Sequence, residues 1–233
     1  MPEPVKPPGG GRPYASTLRA ERAAATRAAI LNAARHCFLE QGYVASPMAD
    51  IARRAGVAVD TVYAAVGPKP QLLRELVETA LSGLERAVPA QDRDYVRHIK
   101  EAASAADKLA IYAGAIVTIQ ERLAPLFRVL SEASAADAKC AELWAGISRR
   151  RAANMMDFVA DLRTTGDLRK DLPDREMADI IWSMNATEYW LLLVQQRGWS
   201  PERFRRWLVD CWTKVLLERD PVTRLTGASD GVV

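Results

Sequence analysis

Residues 46–63, SPMADIARRAGVAVDTVY, decide the fold. Ser46-Pro47 reads as the start of a short helix, with a hydroxyl to cap an unpaired N–H and a proline whose fixed φ suits the first helical position. Ile51 and Ala52 mark its inward side. Ala55-Gly56-Val57 stops it after two turns, with Gly56 taking the positive φ of a tight turn. A third helix follows and carries Val62 and Tyr63. Only a side chain as small as Ala52 lets two such helices cross closely, so the pattern is a helix-turn-helix.

Working outward, a longer helix is expected from about Leu18 to Gln41, with Ile30, Leu31, Ala34 and Phe38 as its core side and Gly42 as its stop. Five of the 13 prolines fall in the first thirteen residues, beside Gly9, Gly10 and Gly11. That composition predicts a flexible arm over 1–17, and the glycines, following no strand, form a linker and not a phosphate cradle. Later prolines are sparse and sit where helices begin or end. Between them 39 alanines and 25 arginines against 9 isoleucines favour helix over strand. The chain is expected to be all-α. One helix should run from Asp174 to about Gln196. The last, over 200–218, opens with Ser200-Pro201-Glu202 as cap, first residue and dipole partner.

Charge and composition narrow the function. The formal net charge is +3, but residues 1–74 carry 10 Lys/Arg against 5 Asp/Glu, and residues 75–233 carry 22 against 24. A mildly basic front on a near-neutral body fits an electrostatic nucleic-acid footprint. No apolar run approaches the ~18 residues of a membrane span; the best, Leu109 to Ile119, is short. The N-terminus has no apolar signal-peptide core, so no membrane partner and a cytoplasmic location are expected. Cys37, Cys140 and Cys211 are odd in number and far apart, which predicts core thiols in a reducing compartment. His36 and His98 lack acids or thiols at ligand spacing, so no metal is expected. No G-x-S-x-G, P-loop or zincin motif occurs, and neither a cofactor nor a catalytic residue is expected.

Several residues together resemble a known family. Ala28-Ala29-Ile30-Leu31-Asn32-Ala33-Ala34, Phe38, Gly42-Tyr43, Asp50-Ile51-Ala52, Ala55-Gly56-Val57, Thr61-Val62-Tyr63, Lys69 and Leu72-Leu73 keep the order and spacing of tetracycline-repressor (TetR) type regulators over about 24–84. The resemblance implies three helices plus the start of a fourth, then a diverged helical ligand-binding domain, and a homodimer closed through the last two long helices. It gives a DNA-binding domain over 18–84 (helix-turn-helix about 47–66), an effector-binding and dimerisation domain over 85–221, and a disordered tail over 222–233. The third helix, about Ala58 to Val66, would enter the major groove of a double-stranded DNA operator. Thr61 and Tyr63 match backbone-contacting positions and Lys69 a phosphate-binding lysine; Ser46, Met48, Val59, Asp60 and Ala64 complete the expected DNA-facing set. Ala58 stands where relatives often have a serine cap, and Asp60 where they often have glycine. Met48, Val59 and Ala64 cannot hydrogen-bond a base edge, which leaves thymine methyl contacts and DNA shape as the means of reading sequence. Arg19, Arg22 and Arg27 read either as phosphate or minor-groove contacts or as a solvated basic segment.

In the second half, Tyr112, Phe127, Trp144, Met155 and Phe158 read as the lining of an apolar effector cavity or as plain core. Asn185 and Glu188 share the apolar side of the Asp174 helix. Glu188 there needs a partner, read first as an internal salt bridge to Arg149, Arg150 or Arg151 and second as a ligand contact. Tyr189 to Val194 is apolar on every side, so Tyr189, Leu192, Leu193, Phe204, Leu208 and Trp212 are expected to form the dimer interface. Helix four, from Pro70 to about Val88, would link effector to DNA. The sum is a DNA-binding regulator, a repressor released by a small, largely apolar effector. The alternative is a helical enzyme or protein-interaction module with an accessory helix-turn-helix.

Overall fold

The computed structural model describes residues 12–83 and 88–218, with side chains from Thr17 onward. The expected arm over 1–11 and tail over 222–233 lie outside these residues. The first four helices are α1 (Arg12–Gln41), α2 (Met48–Ala55), α3 (Val59–Ala65) and α4 (Lys69–Ser82). After a 3-10 turn at Ala90–Asp92 come α5 (Asp94–Glu101), α6 (Ala105–Ala136) and α7 (Ala138–Arg163). Then come α8 (Asp174–Met184), α9 (Thr187–Trp190) with a π turn at Leu191–Gln196, and α10 (Pro201–Leu216), the last element among the described residues. Extended pairing among the described residues is limited to one bridge, Leu168 to Leu217. The fold is all-α.

The chain forms two compact units that divide between Leu76 and Val77, inside α4. The expected boundary, 84/85, lay after that helix. In the first unit, Ile30, Ala34 and Phe38 of α1 meet Ile51 and Ala52 of α2, Val62 of α3, and Leu72 and Leu73 of α4, all buried. Three local expectations need correction. α1 begins at Arg12, so residues 12–17 are helix and not arm. Pro47, in extended conformation, is the N-cap of α2, and Ser46 is not. The Ser46 hydroxyl instead donates to the Gly42 carbonyl at 2.7 Å. Gly56 does take the turn, at φ 70°, as its missing Cβ permits. α4 ends at Ser82, short of Val88.

The second unit is built on α6 and α7, two long helices joined through Asp137. Its carboxylate caps α7 by accepting from the Lys139 N–H at 2.8 Å and the Cys140 N–H at 3.4 Å. α10 packs against α6 with Phe204, Leu208, Trp212 and Leu216 fully buried. The Asp174 helix is not continuous. It breaks at Asn185 and Ala186, and Ala186 is extended, at ψ 145°. That break positions the polar part of the cavity described next.

Candidate functional site

The exposed side of the helix-turn-helix follows from how its helices are anchored. Val62 is fully buried and fixes α3, which leaves Asp60, Tyr63 and Ala64 exposed and Val59 and Thr61 half-buried. Met48, on α2, is half-buried beside them. Arg19 and Arg22 are exposed on α1. At the start of α4, Lys69 lies over the Tyr43 ring with its ammonium 4.4 Å from the centroid, and it donates to the Val44 carbonyl at 3.3 Å.

Two of the expected DNA-facing residues have partners inside the first unit. Ser46 is completely buried, and its hydroxyl is directed back at Gly42, so it offers no surface to DNA. Arg27 donates to the Ala65 carbonyl at 2.5 Å and pairs with Glu75, tying α1 to the end of α3 and to α4. Sequence reading missed Val44, which is 62% exposed beside Lys69. It also missed Arg53, exposed on α2 and paired with Asp50 at 2.9 Å. The three-residue spacing of that pair was a usable signal. The Arg54 pair with Glu40, at 2.6 and 2.8 Å, spans two helices and had none; Arg54 holds the Glu40 carboxyl below its ordinary range.

The second unit encloses a cavity of about 500 Å³. Tyr112, Phe127, Trp144, Met155, Phe158, Asn185 and Glu188, the seven residues expected for an effector, all line it. Its lining includes an aromatic pair, Phe127 and Trp144, in contact at 4.7 Å, and Val77 and Leu81 of α4. A second aromatic group on the lining is Tyr95, Tyr112 and Phe158. The lining also carries a polar cluster centred on Asn185.

The helix break gives Asn185 its role. With the ladder interrupted, its backbone carbonyl accepts from Gln120 Nε2 at 3.0 Å. Its side-chain amide donates to the Tyr112 hydroxyl at 2.8 Å, and its Oδ1 accepts from Arg151. Arg151 Nη2 also donates to the Trp182 carbonyl at 2.8 Å, and the guanidinium lies 5.2 Å from the centre of the Trp182 ring. Burial pushes the Tyr112 phenol well above its ordinary value and draws Arg151 down, the latter opposed by Tyr112 and Glu188. Two buried atoms on the cavity lining, Gln120 Oε1 and Trp182 Nε1, have no hydrogen-bond partner among the described residues.

The salt bridge expected for Glu188 is absent among the described residues. Glu188 is exposed at the cavity rim; Arg151 bonds to Asn185 and Trp182, and Arg150 pairs with Glu78 at 2.5 Å. The break between α8 and α9 turns Glu188 out of the side it would share on one continuous helix. Gln120, Arg151 and Trp182 were missed. The first two were legible: Gln120 follows Tyr112 and Ile116 at four-residue intervals, and Arg151 lies one turn before Met155 on an otherwise apolar stripe.

The expected dimer set divides. Phe204, Leu208 and Trp212 are 0% exposed within one chain, Phe204 edge-on to Trp190 and Trp212 stacked on Tyr112, so they cannot form an interface. Tyr189 and Leu192 are exposed, and Leu193 is half-buried. The half-buried Trp207 lies 5.6 Å from Tyr189. No helix among the described residues is long and apolar enough to cross a membrane, and none of their His, Cys, Asp or Glu side chains cluster in a metal-holding group.

Residues 30–76 match the sequence model of the bacterial regulatory proteins, tetR family. No curated protein matches the chain. Among solved structures, a Mesorhizobium loti protein assigned to the TetR family of transcriptional regulators is similar at TM-score 0.63 and 20% identity, over 84% of this chain and 99% of that one. NalD of Pseudomonas aeruginosa, the secondary repressor of the MexAB-OprM multidrug efflux pump, is similar at TM-score 0.61 and 19% identity, over 87% and 99%. A Saccharomonospora viridis protein solved in complex with choline is similar at 0.62 and 20%, over 83% and 98%.

Proposed function

We propose that this chain, whose residues 30–76 form a TetR-family helix-turn-helix domain, is a cytoplasmic, non-enzymatic DNA-binding repressor that a small, largely apolar effector releases. The observation that carries the reading is the course of α4. Lys69 stands at its start in the first unit, and Val77 and Leu81 on the same helix line the cavity of the second. A molecule seated between α4, α6 and α7 would displace the α4 end of the cavity wall, and the helix would pass that shift to α3.

In this reading α3 meets the major groove with Val59, Asp60, Thr61, Tyr63 and Ala64, supported by Met48, Lys69, Arg19 and Arg22. Ser46 is left out, and Arg27 acts by holding the end of α3. Two copies assemble through Tyr189, Leu192 and Leu193 with Trp207, an apolar surface that a lone chain leaves open to water. Two-fold symmetry would present two α3 helices to successive major grooves, about 34–36 Å apart. An effector can weaken operator binding only by its differential affinity for the two arrangements.

The test is binding of the full-length protein to a labelled fragment from upstream of its own gene, titrated with salt. Specific binding that weakens steeply with salt is expected. Binding no tighter than to random DNA of equal length would favour the reading as a protein-interaction module, which the scarcity of hydrogen-bonding side chains on α3 would then explain.

A further inference from the structure

We infer that the cavity is built for an amphipathic organic acid, whose anionic oxygen meets Arg151 and the Trp182 indole N–H while its apolar body fills the aromatic space toward Trp144. This rests on the effector-cavity reading and names its ligand class.

Arg151 has no carboxylate within ion-pair distance among the described residues. Its two bonds, both from Nη2, go to an amide oxygen and a backbone carbonyl, which are neutral acceptors. Nε and Nη1 keep their N–H groups for a further acceptor. A cation withdrawn from water without a counter-charge is costly, and an incoming anion relieves that cost.

The remaining charges around the cavity do not cancel it. Asp161 is committed to Lys108 at 2.8 Å. Arg93 donates to the Val88 carbonyl at 3.2 and 3.3 Å. Glu188, Asp157 and Lys100 are exposed, where water screens them. Among the described lining residues, Arg151 and Arg93 are the half-buried cations bonded only to neutral acceptors, and of the two Arg151 is the one bonded to Asn185 and Trp182.

Two orphan atoms point independently to a ligand. Trp182 Nε1 is a buried donor without an acceptor, in the residue whose ring and carbonyl already flank the guanidinium. Gln120 is 3% exposed and lines the cavity; its Nε2 is committed to Asn185, which leaves Oε1 as an acceptor without a donor. An acid that also carries a hydroxyl or N–H would satisfy all three. Buried polar atoms are rarely left unpaired, and two of them on residues that line the same cavity as Arg151 mark a place where a polar group docks.

The experiment compares three probes of one chain length on the full-length protein: decanoate, decanol and decyltrimethylammonium, each displacing bound Nile red. Decanoate should bind roughly tenfold or more tightly than decanol, as a charge-assisted bond in a desolvated site provides. The ammonium should bind weakest. In R151Q the decanoate-to-decanol ratio should fall to near one, and in R151K it should largely return. The wild-type ratio needs no variant, so the inference is exposed even if R151Q fails to fold. Equal displacement by decanoate and decanol, or preference for the ammonium, overturns the acid class and leaves the effector cavity standing. If neither Nile red nor any probe binds, the cavity reading itself fails and this inference falls with it.

Discussion

Two arginines with opposite surroundings separate the two halves of this molecule. In the first unit, Arg27 is matched by a carboxylate, Glu75, and by the Ala65 carbonyl. In the second unit, Arg151 has an amide and a carbonyl but no carboxylate. The first arrangement is electrically closed, as a structural brace should be. The second is open, with only neutral acceptors around the cation. Burial and charge compensation together therefore separate a brace in the first unit from the arginine to which the proposed acid is assigned.

The largest expected effect tests the framework around the open cluster. Trp212 is 0% exposed and stacks on Tyr112 at 5.7 Å, so Trp212→Ala should cost about 3–5 kcal/mol in urea unfolding of the second unit. Leu192, at 49% exposed, should behave oppositely. Leu192→Glu should leave stability of the single chain within about 0.5 kcal/mol while shifting sedimentation toward monomer. A dimer that persists in L192E would move the interface away from this surface.

Next in size is Asn185, on which the open cluster depends. Asn185→Ala removes one of Arg151's acceptors and the donor to Tyr112, and should cost about 2–3 kcal/mol because buried polar groups are left unpaired. Asn185→Asp keeps the acceptor and adds a negative charge beside Arg151. It should recover much of the stability yet lose decanoate binding, since the cation is then neutralised from within. Were N185D to bind decanoate as well as wild type, Arg151 would not be the group that the acid meets.

What could be read in the sequence differs between the halves for the same physical reason. The helix-turn-helix rests on local signals, Gly56 at a positive φ and Ala52 at a crossing, and those depend on neighbours a few residues away. The seven cavity residues were legible as five apolar or aromatic positions, one amide and one carboxylate on helical stripes, but their convergence needed contacts across tens of residues. The errors share a cause. Phe204, Leu208 and Trp212 make an apolar stripe that looks the same whether it faces its own α6 or a second copy. The continuous periodicity from Asp174 to Gln196 hid the break at Asn185, and with it the outward turn of Glu188. Ser46 looked like a cap, yet its hydroxyl found the Gly42 carbonyl first.

The closed arginine should respond more mildly. Arg27→Met removes an ion pair whose acid, Glu75, has a side chain only 17% exposed, so a loss of about 1–2 kcal/mol in the first unit is expected. Glu75→Gln added to R27M should cost little more, because the carboxylate has already lost that counter-charge. Operator affinity should fall in step with stability. A large loss of DNA binding at unchanged stability would instead make Arg27 a direct phosphate contact, as the sequence first allowed.

The smallest effect on the first unit belongs to Lys69, and it bears on whether that unit is as fully closed as Arg27 suggests. The ammonium rests over the Tyr43 ring and donates to the Val44 carbonyl, next to the exposed Val44 side chain. A ring face and a carbonyl are both compatible with a phosphate approaching the same ammonium, so a DNA backbone would add to these interactions. Lys69→Ala should therefore cost only about 0.5–1 kcal/mol of stability, the worth of one cation–π pair at an exposed site. Its signature lies in the salt dependence of operator binding. Taking one phosphate-binding cation from each subunit should flatten the log–log slope by about 0.9 per subunit, and so by about twice that for a dimer with both subunits on the duplex. The weakening should be similar on specific and random DNA, since a phosphate carries no sequence. Lys69→Arg keeps the charge and should keep most of the slope. If K69A weakens binding with the slope unchanged, Lys69 orders the Tyr43–Val44 turn and does not meet the duplex.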